Sequence, residues 1–156
     1  MKKEKIVGLI VIFGLVIVDL LSKSWIEANI NLHQQVEIIP NFFWLTNIRN
    51  TGAAWSLFDG QVGFLTLVSL VASVVLLYVY LQDKQSKLAN FALVLMIAGT
   101  IGNFADRLIF NYVRDFLSFN LFGYMFPVFN IADSLLVVGV FLLIVEVLID
   151  EKRSHR

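Results

Sequence analysis

Four stretches of this 156-residue chain are apolar over the length a helix needs to cross a bilayer, about 20 residues. They run over about 6–23, 61–81, 88–105 and 127–149. The first has a competing reading. Its basic start (Lys2, Lys3, Lys5) and the apolar run 6–18 have the layout of a secretory leader. No small-residue cleavage site follows and three further spans do, so a retained helix is expected. Composition agrees: 58% of the residues are hydrophobic and 15% charged, where a soluble domain carries about 25% charged residues. The mean hydropathy is +0.80. A chain this short cannot bury so much apolar surface within itself, so lipid must cover much of it. The expected architecture is a membrane all-α fold, one domain over 1–156: a four-transmembrane-helix bundle with a long connection over about 24–60 and a shorter one over about 106–126.

Lysine and arginine placement orients the spans. Lys2, Lys3, Lys5, Lys84, Lys87, Lys152, Arg153 and Arg156 gather on one side and outnumber Lys23, Arg49, Arg107 and Arg114 on the other. Both termini are therefore expected in the cytoplasm, and these two connections outside. The charged tail reads as a solvated end and a topology signal. The first outer loop is too long for a mere connector. Its segment 37–46, rich in Ile, Phe and Trp, suggests a β-rich platform, whereas the second outer loop is expected to be short. Gly52, in the turn before Ala53 and Ala54, permits a left-handed backbone or a close approach by another segment. Trp44 and Trp55 suit the interface, with one apolar and one wet side.

Several function classes are excluded at this point. The formal net charge is zero, which gives a nucleic-acid partner no electrostatic support. There is no cysteine, and His33 and His155 are far apart, so no metal site and no cofactor is expected.

The polar residues beside the spans carry the chemistry. A carboxylate at the centre of a membrane helix costs roughly 2.5–3.5 kcal/mol, so each acid there is a functional candidate. Asp19 and Lys23 lie four apart on one helical face, acid first, the favourable order for an ion pair. Asn130 and Asp133 stand three apart at a helix start, where an amide at the N-cap and an acid at the third position cap each other. Asn103 and Asp106 repeat that spacing at a helix end, where the dipole disfavours an acid. There Asp106 and its neighbour Arg107 read as a local pair or a substrate-facing one. Asp115 sits in an apolar stretch that does not call for an acid. Two carboxylates held close share one proton; one then activates a water and the other protonates the substrate carbonyl. That is aspartyl peptide hydrolysis. The residues alone leave Asp106 with Asp133, and Asp115 with Asp133, both open. Two other classes remain. One is a small proton-coupled transporter, although transporters place such acids near the midplane. The other is a serine–lysine protease using Lys23 with Ser22, Ser56 or Ser134.

Five short motifs stand in order along nearly the whole chain: Asp19 with Lys23; Asn50-Thr51-Gly52-Ala53-Ala54; Gly102-Asn103-Phe104-Ala105-Asp106-Arg107; Val113-Arg114-Asp115-Phe116; and Phe129-Asn130-Ile131-Ala132-Asp133. Each is weak alone. Together, on four spans, the chain resembles the lipoprotein signal peptidases (signal peptidase II), the aspartyl proteases of the bacterial inner membrane. The resemblance implies a catalytic pair of Asp115 and Asp133. Asp19, Lys23, Asn50, Gly52, Asn103, Asp106, Arg107 and Asn130 become supporting or substrate-binding residues, and Arg114 falls in a variable slot. It also implies the substrate, a prolipoprotein cut just before a cysteine that carries diacylglycerol, and inhibition by globomycin. The expected partners are that precursor and membrane lipids, with the enzyme acting as a monomer on the outer face.

Overall fold

The computed structural model describes residues 3–53, 55, 57–82 and 85–154. Lys2, Lys84, His155 and Arg156, with Ala54 and Ser56, lie outside the described residues. Four long helices account for the apolar stretches: α1 (Lys3–Asn29), α2 (Val62–Leu81), α3 (Lys87–Phe110) and α4 (Ile131–Ser154). Three of them overrun the lipid-length windows read from sequence, because a helix continues past the apolar run wherever its next turns find partners. The last turn of α1 packs Ile26 with Ile30 and Phe116. The start of α3 is capped by Ser86, whose hydroxyl accepts from the Ala89 amide at 3.0 Å. Its end is closed by Asn111 in a left-handed conformation (φ 62°). The fourth helix starts at Ile131 rather than near Pro127.

The third helix is the centre of the bundle. Ala92, Ile97 and Ala98 are fully buried, and Ile12 of α1 and Tyr80 of α2 pack on the same cluster. The outer faces of α1, α2 and α4 expose Phe13, Leu67 and Phe141 among many large apolar residues, the surface lipid must cover. Small residues let α3 and α4 approach closely. A methyl group added at Gly99 would lie 2.3 Å from the Ala132 carbonyl oxygen, and one at Gly102 would lie 2.5 Å from Asp19 Oδ2. At the end of the bundle where α1 begins, Lys5 donates to the Tyr80 carbonyl near the end of α2 and to Asn90 of α3. That hold closes the end opposite the aspartates.

Between the helices runs an antiparallel sheet of four strands in the order β1 (Gln35–Ile39), β2 (Phe43–Asn50), β3 (Val113–Leu121) and β4 (Tyr124–Met125). The strand expected at 37–46 is a hairpin. The connection between α3 and α4 is more than the short loop expected: it supplies half of the sheet. The reason is pairing at a distance, since β3 lies on β2 with Phe43 opposite Phe119 and Asn50 opposite Val113. Phe119 stacks on Phe43 and on Phe129, with centroids 4.6 and 5.7 Å apart. Two backbone bonds between Leu117 and Phe129 then tie the sheet to the residue just before Asn130.

The close contact at Gly99 makes a prediction with an internal control. Gly99→Ala overpacks the α3–α4 seam and should lower stability by about 1–3 kcal/mol. Gly14, with no heavy atom within 4 Å of an added methyl, should accept alanine with a gain of about 0.5–1 kcal/mol. Thermal unfolding in detergent checks the pair.

Candidate active site

The two strands from different loops place Asp115. A register shift between Leu45 and Ile48 brings Asp115 opposite Ile48, diagonal to Asn50. Asn50 donates to Asp115 Oδ2 at 2.8 Å, and Asn130 Nδ2 donates to Oδ1 at 2.7 Å. The start of α4 places Asp133. Its amide donates to Asn130 Oδ1 at 2.9 Å, while its own Oδ2 accepts from the Asn130 amide at 3.1 Å, a reciprocal cap. Asn103 donates to the other oxygen, Asp133 Oδ1, at 2.7 Å. A carboxylate only accepts, so each amide must turn its nitrogen toward it. Asn130 therefore touches both carboxylates, and Asn50 and Asn103 each hold one from the far side.

Behind this layer lies a buried charge cluster. Lys23 Nζ is 2.8 Å from Asp19 Oδ2, an ion pair poorly aligned for hydrogen bonding, and 3.5 Å from Asp106 Oδ2; all three side chains are fully buried. Lys23 also donates to Asn103 Oδ1 at 3.0 Å. That bond fixes the Asn103 amide so that its nitrogen faces Asp133. Asp19 accepts from the Ala132 amide at 2.9 Å, which pins α1 to the first turn of α4.

Asp106 and Arg107 do not pair. Neighbours on a helix point about 100° apart. Asp106 turns toward α1 and β3, where it meets Arg114 at 2.7 Å. Arg107 turns the other way, lines the cavity described below and donates to the Gly52 carbonyl at 3.1 Å. Gly52 serves close approach rather than a left-handed turn: an added methyl would lie 2.8 Å from the Leu57 carbonyl oxygen. Its amide donates to Asn50 Oδ1 at 2.9 Å.

A cavity of about 610 Å³ opens over this layer. Asp115, Asp133, Asn50, Asn103 and Arg107 form its polar end, and Val113, Leu136, Val137 and the segment 126–129 form most of its apolar wall. Ser69 of α2 and Val138 of α4 extend it between those two helices. Trp55, read from sequence as an interface residue, stands at its edge beside Tyr124 and Phe126. Asp19, Lys23 and Asp106 do not line it. Asp115 is raised to about 7, first by burial and then by the neighbouring Asp133, against the opposing bonds from Asn50 and Asn130. Such a group favours the native state below its unfolded value near 3.8 and loses that contribution as pH rises through about 7.

Two residues were not singled out from sequence. Arg114, assigned to a variable slot, is buried and bridges Asp106 to Glu27. Glu27 continues the Asp19–Lys23 stripe by four more residues, in the part of α1 that runs past the apolar window ending at Lys23. Among the described residues the serine–lysine alternative finds no geometry: the Ser22 hydroxyl donates to the Asp19 carbonyl, and the Ser134 hydroxyl to the Asn130 carbonyl. Ser56 lies outside the described residues.

Known proteins are similar to this chain in sequence and in fold. A family profile described as signal peptidase (SPase) II matches residues 11–149. A lipoprotein signal peptidase of Staphylococcus haemolyticus (strain JCSC1435) is 40% identical over 145 residues, 92% of this chain and 92% of that one. A lipoprotein signal peptidase of Staphylococcus aureus (strain JH9) is 39% identical over 154 residues, 96% of this chain and 94% of its own. A bacterial membrane enzyme solved by the in meso method at 2.3 Å superposes with a TM-score of 0.88 at 36% identity, over 94% of this chain and 90% of that chain. A second, solved at 1.9 Å, gives 0.82 at 36% identity over 91% and 92%. With most of its length matched on each count, the chain belongs to the signal peptidase II family.

Proposed function

We propose that Asp115 and Asp133 are the catalytic pair of this lipoprotein signal peptidase. Together they hold one proton and one water. The carboxylate removes a proton from the water as it attacks the scissile carbonyl. The carboxylic acid protonates that oxygen, and the tetrahedral intermediate collapses as its nitrogen is protonated and leaves. No covalent enzyme intermediate forms. The observation that supports this pair most directly is shared access: both carboxylates line one cavity and both accept from Asn130, Asp115 from its side-chain amide and Asp133 from its backbone amide, while Asp106 is spent on Lys23 and Arg114. Desolvation keeps Asp115 able to carry the proton at neutral pH.

The substrate in this reading is a prolipoprotein, cut before its diacylglyceryl cysteine. The cavity suits it, with a polar end for the peptide backbone and an apolar wall reaching between α2 and α4 for lipid or signal-peptide side chains. Arg107, Asn50 and Gly52 flank the peptide's path. The basic residues at the far end of the bundle, Lys3, Lys5, Lys87 and Lys152, support cytoplasmic termini and a site on the outer face of a bacterial membrane. The enzyme acts as a monomer and is sensitive to globomycin. A proton-coupled transporter is not favoured, since the acids gather at one end of the bundle instead of its middle.

Asp115→Asn and Asp133→Asn, each in proteoliposomes with a diacylglyceryl precursor peptide, should lower kcat by about 10²–10⁴-fold or more while the protein still inserts. Full activity in either variant sinks the pair. The wild-type rate should follow a bell-shaped pH profile whose alkaline side falls through about 7, where Asp115 gives up the shared proton. A profile flat from pH 5 to pH 9, roughly the span between fully protonated and fully ionised pairs, contradicts the assignment.

A further inference from the structure

Asp115 and Asn50 each follow an arginine, and those arginines face the other way. Arg49 precedes Asn50 on β2, Arg114 precedes Asp115 on β3, and the two arginines are direct cross-strand partners. Side chains alternate along a strand, so Asn50 and Asp115 point to the cavity while Arg49 and Arg114 point toward α1. Two like charges directly opposite would weaken the pairing. Glu27 of α1 offsets this: its Oε1 is 3.6 Å from Arg49 and its Oε2 is 3.3 Å from Arg114.

The hold on Arg114 is the stronger of the two, because Arg49 is half exposed while the Arg114 side chain is only 6% exposed. Its Nη2 donates to Asp106 Oδ1 at 2.7 Å, its Nε lies 3.2 and 3.3 Å from the two Asp106 oxygens, and its backbone amide donates to Asp106 Oδ2 at 3.0 Å. Nη1 reaches the Ser24 hydroxyl at 3.2 Å, and the guanidinium lies over the Phe110 ring at 4.5 Å. Both the backbone and the side chain of the residue before Asp115 are thus fixed to α1 and α3 by charge-assisted bonds.

We propose that Arg114, seated between Asp106 and Glu27, is the positioning residue that sets where the Asp115 carboxyl stands relative to Asp133. It never touches substrate; it acts through one peptide unit of β3. The inference rests on the aspartyl reading above. It also gives Asp106 a task outside the reaction, as the anchor of that strand.

The test compares Arg114→Met, Arg114→Lys and Glu27→Gln in proteoliposomes, with Asp115→Asn as reference. A displacement of Asp115 by about 1 Å should lower kcat of Arg114→Met by about 10²-fold and leave KM nearly unchanged. The alkaline side of its pH profile should move upward as Asp115 loses the bonds from Asn50 and Asn130. Arg114→Lys, which keeps the charge on Asp106 but not the fork, should recover part of the rate. Glu27→Gln keeps the shape and the Asp106 contact, so it should fold even if Arg114→Met does not, with a several-fold loss of kcat in the same sense. An inert Asp115→Asn beside an Arg114→Met or Glu27→Gln enzyme with unchanged kcat and pH profile overturns the positioning role alone. A Tm loss in these variants with kcat, KM and pH profile unchanged overturns it equally. An active Asp115→Asn overturns the catalytic reading and this inference with it.

Discussion

A single ammonium group organises the end of the bundle that holds the site. Lys23 is fully buried, and each of its three contacts does a separate structural job. Asp19 carries the link onward to the Ala132 amide and so seats α4 on α1. Asp106 carries it to Arg114 and so seats β3. Asn103 carries it to Asp133 by fixing which way an amide points. Removing one partner from a buried ion pair typically costs about 3–5 kcal/mol, because the charge left behind has neither water nor counter-charge. Here Asp19 would be left buried with its lysine gone, while Asp106 would keep Arg114.

The carboxylates of the proposed pair sit one layer further out, and their environments differ in kind. Asp133 belongs to a helix start. The exchange of bonds with Asn130 fixes its rotamer and gives it favourable dipole placement, so the helix cap also holds the carboxylate proposed for the reaction. Asp115 belongs to a strand whose neighbours come from two loops. It has amide donors but no cation bonded to it, and burial beside Asp133 keeps its proton available near neutral pH. The fold supports this with the close α3–α4 seam at Gly99 and Gly139, which sets the depth of the α4 start, and with the approach of Asp19 of α1 to Gly102.

Local spacing was legible from the amino-acid sequence; distant pairing was not. The Asp19–Lys23 pair and the Asn130–Asp133 cap each follow from positions three or four apart on one helix, and both stand in the structure as read. The choice between Asp106 and Asp115 did not follow from spacing. It depends on β3 pairing with β2 across more than sixty residues (Asn50 with Val113), a register that local propensity does not encode. The same gap hides the strands in the second loop and the partners of Arg114. Asp106 and Arg107, adjacent in sequence, read as a local pair or a substrate-facing one; the 100° turn between helical neighbours separates them and leaves only Arg107 at the cavity. Glu27 escaped because a hydropathy window ends where lipid ends, while a helix ends where its capping and packing run out.

The central claim is that Asp115 and Asp133, and not Asp106, hold the reacting water between them. The most direct measurement is a structure of the enzyme with a non-cleavable diacylglyceryl peptide, at a resolution that shows ordered water. The account predicts one water, or the hydroxyl that replaces it, within hydrogen-bonding reach of both the Asp115 and Asp133 carboxylates, with Asp106 still bound to Lys23 and Arg114. Asp115 and Asp133 too far apart to share one water, or a scissile carbonyl seated against Asp106, would contradict it.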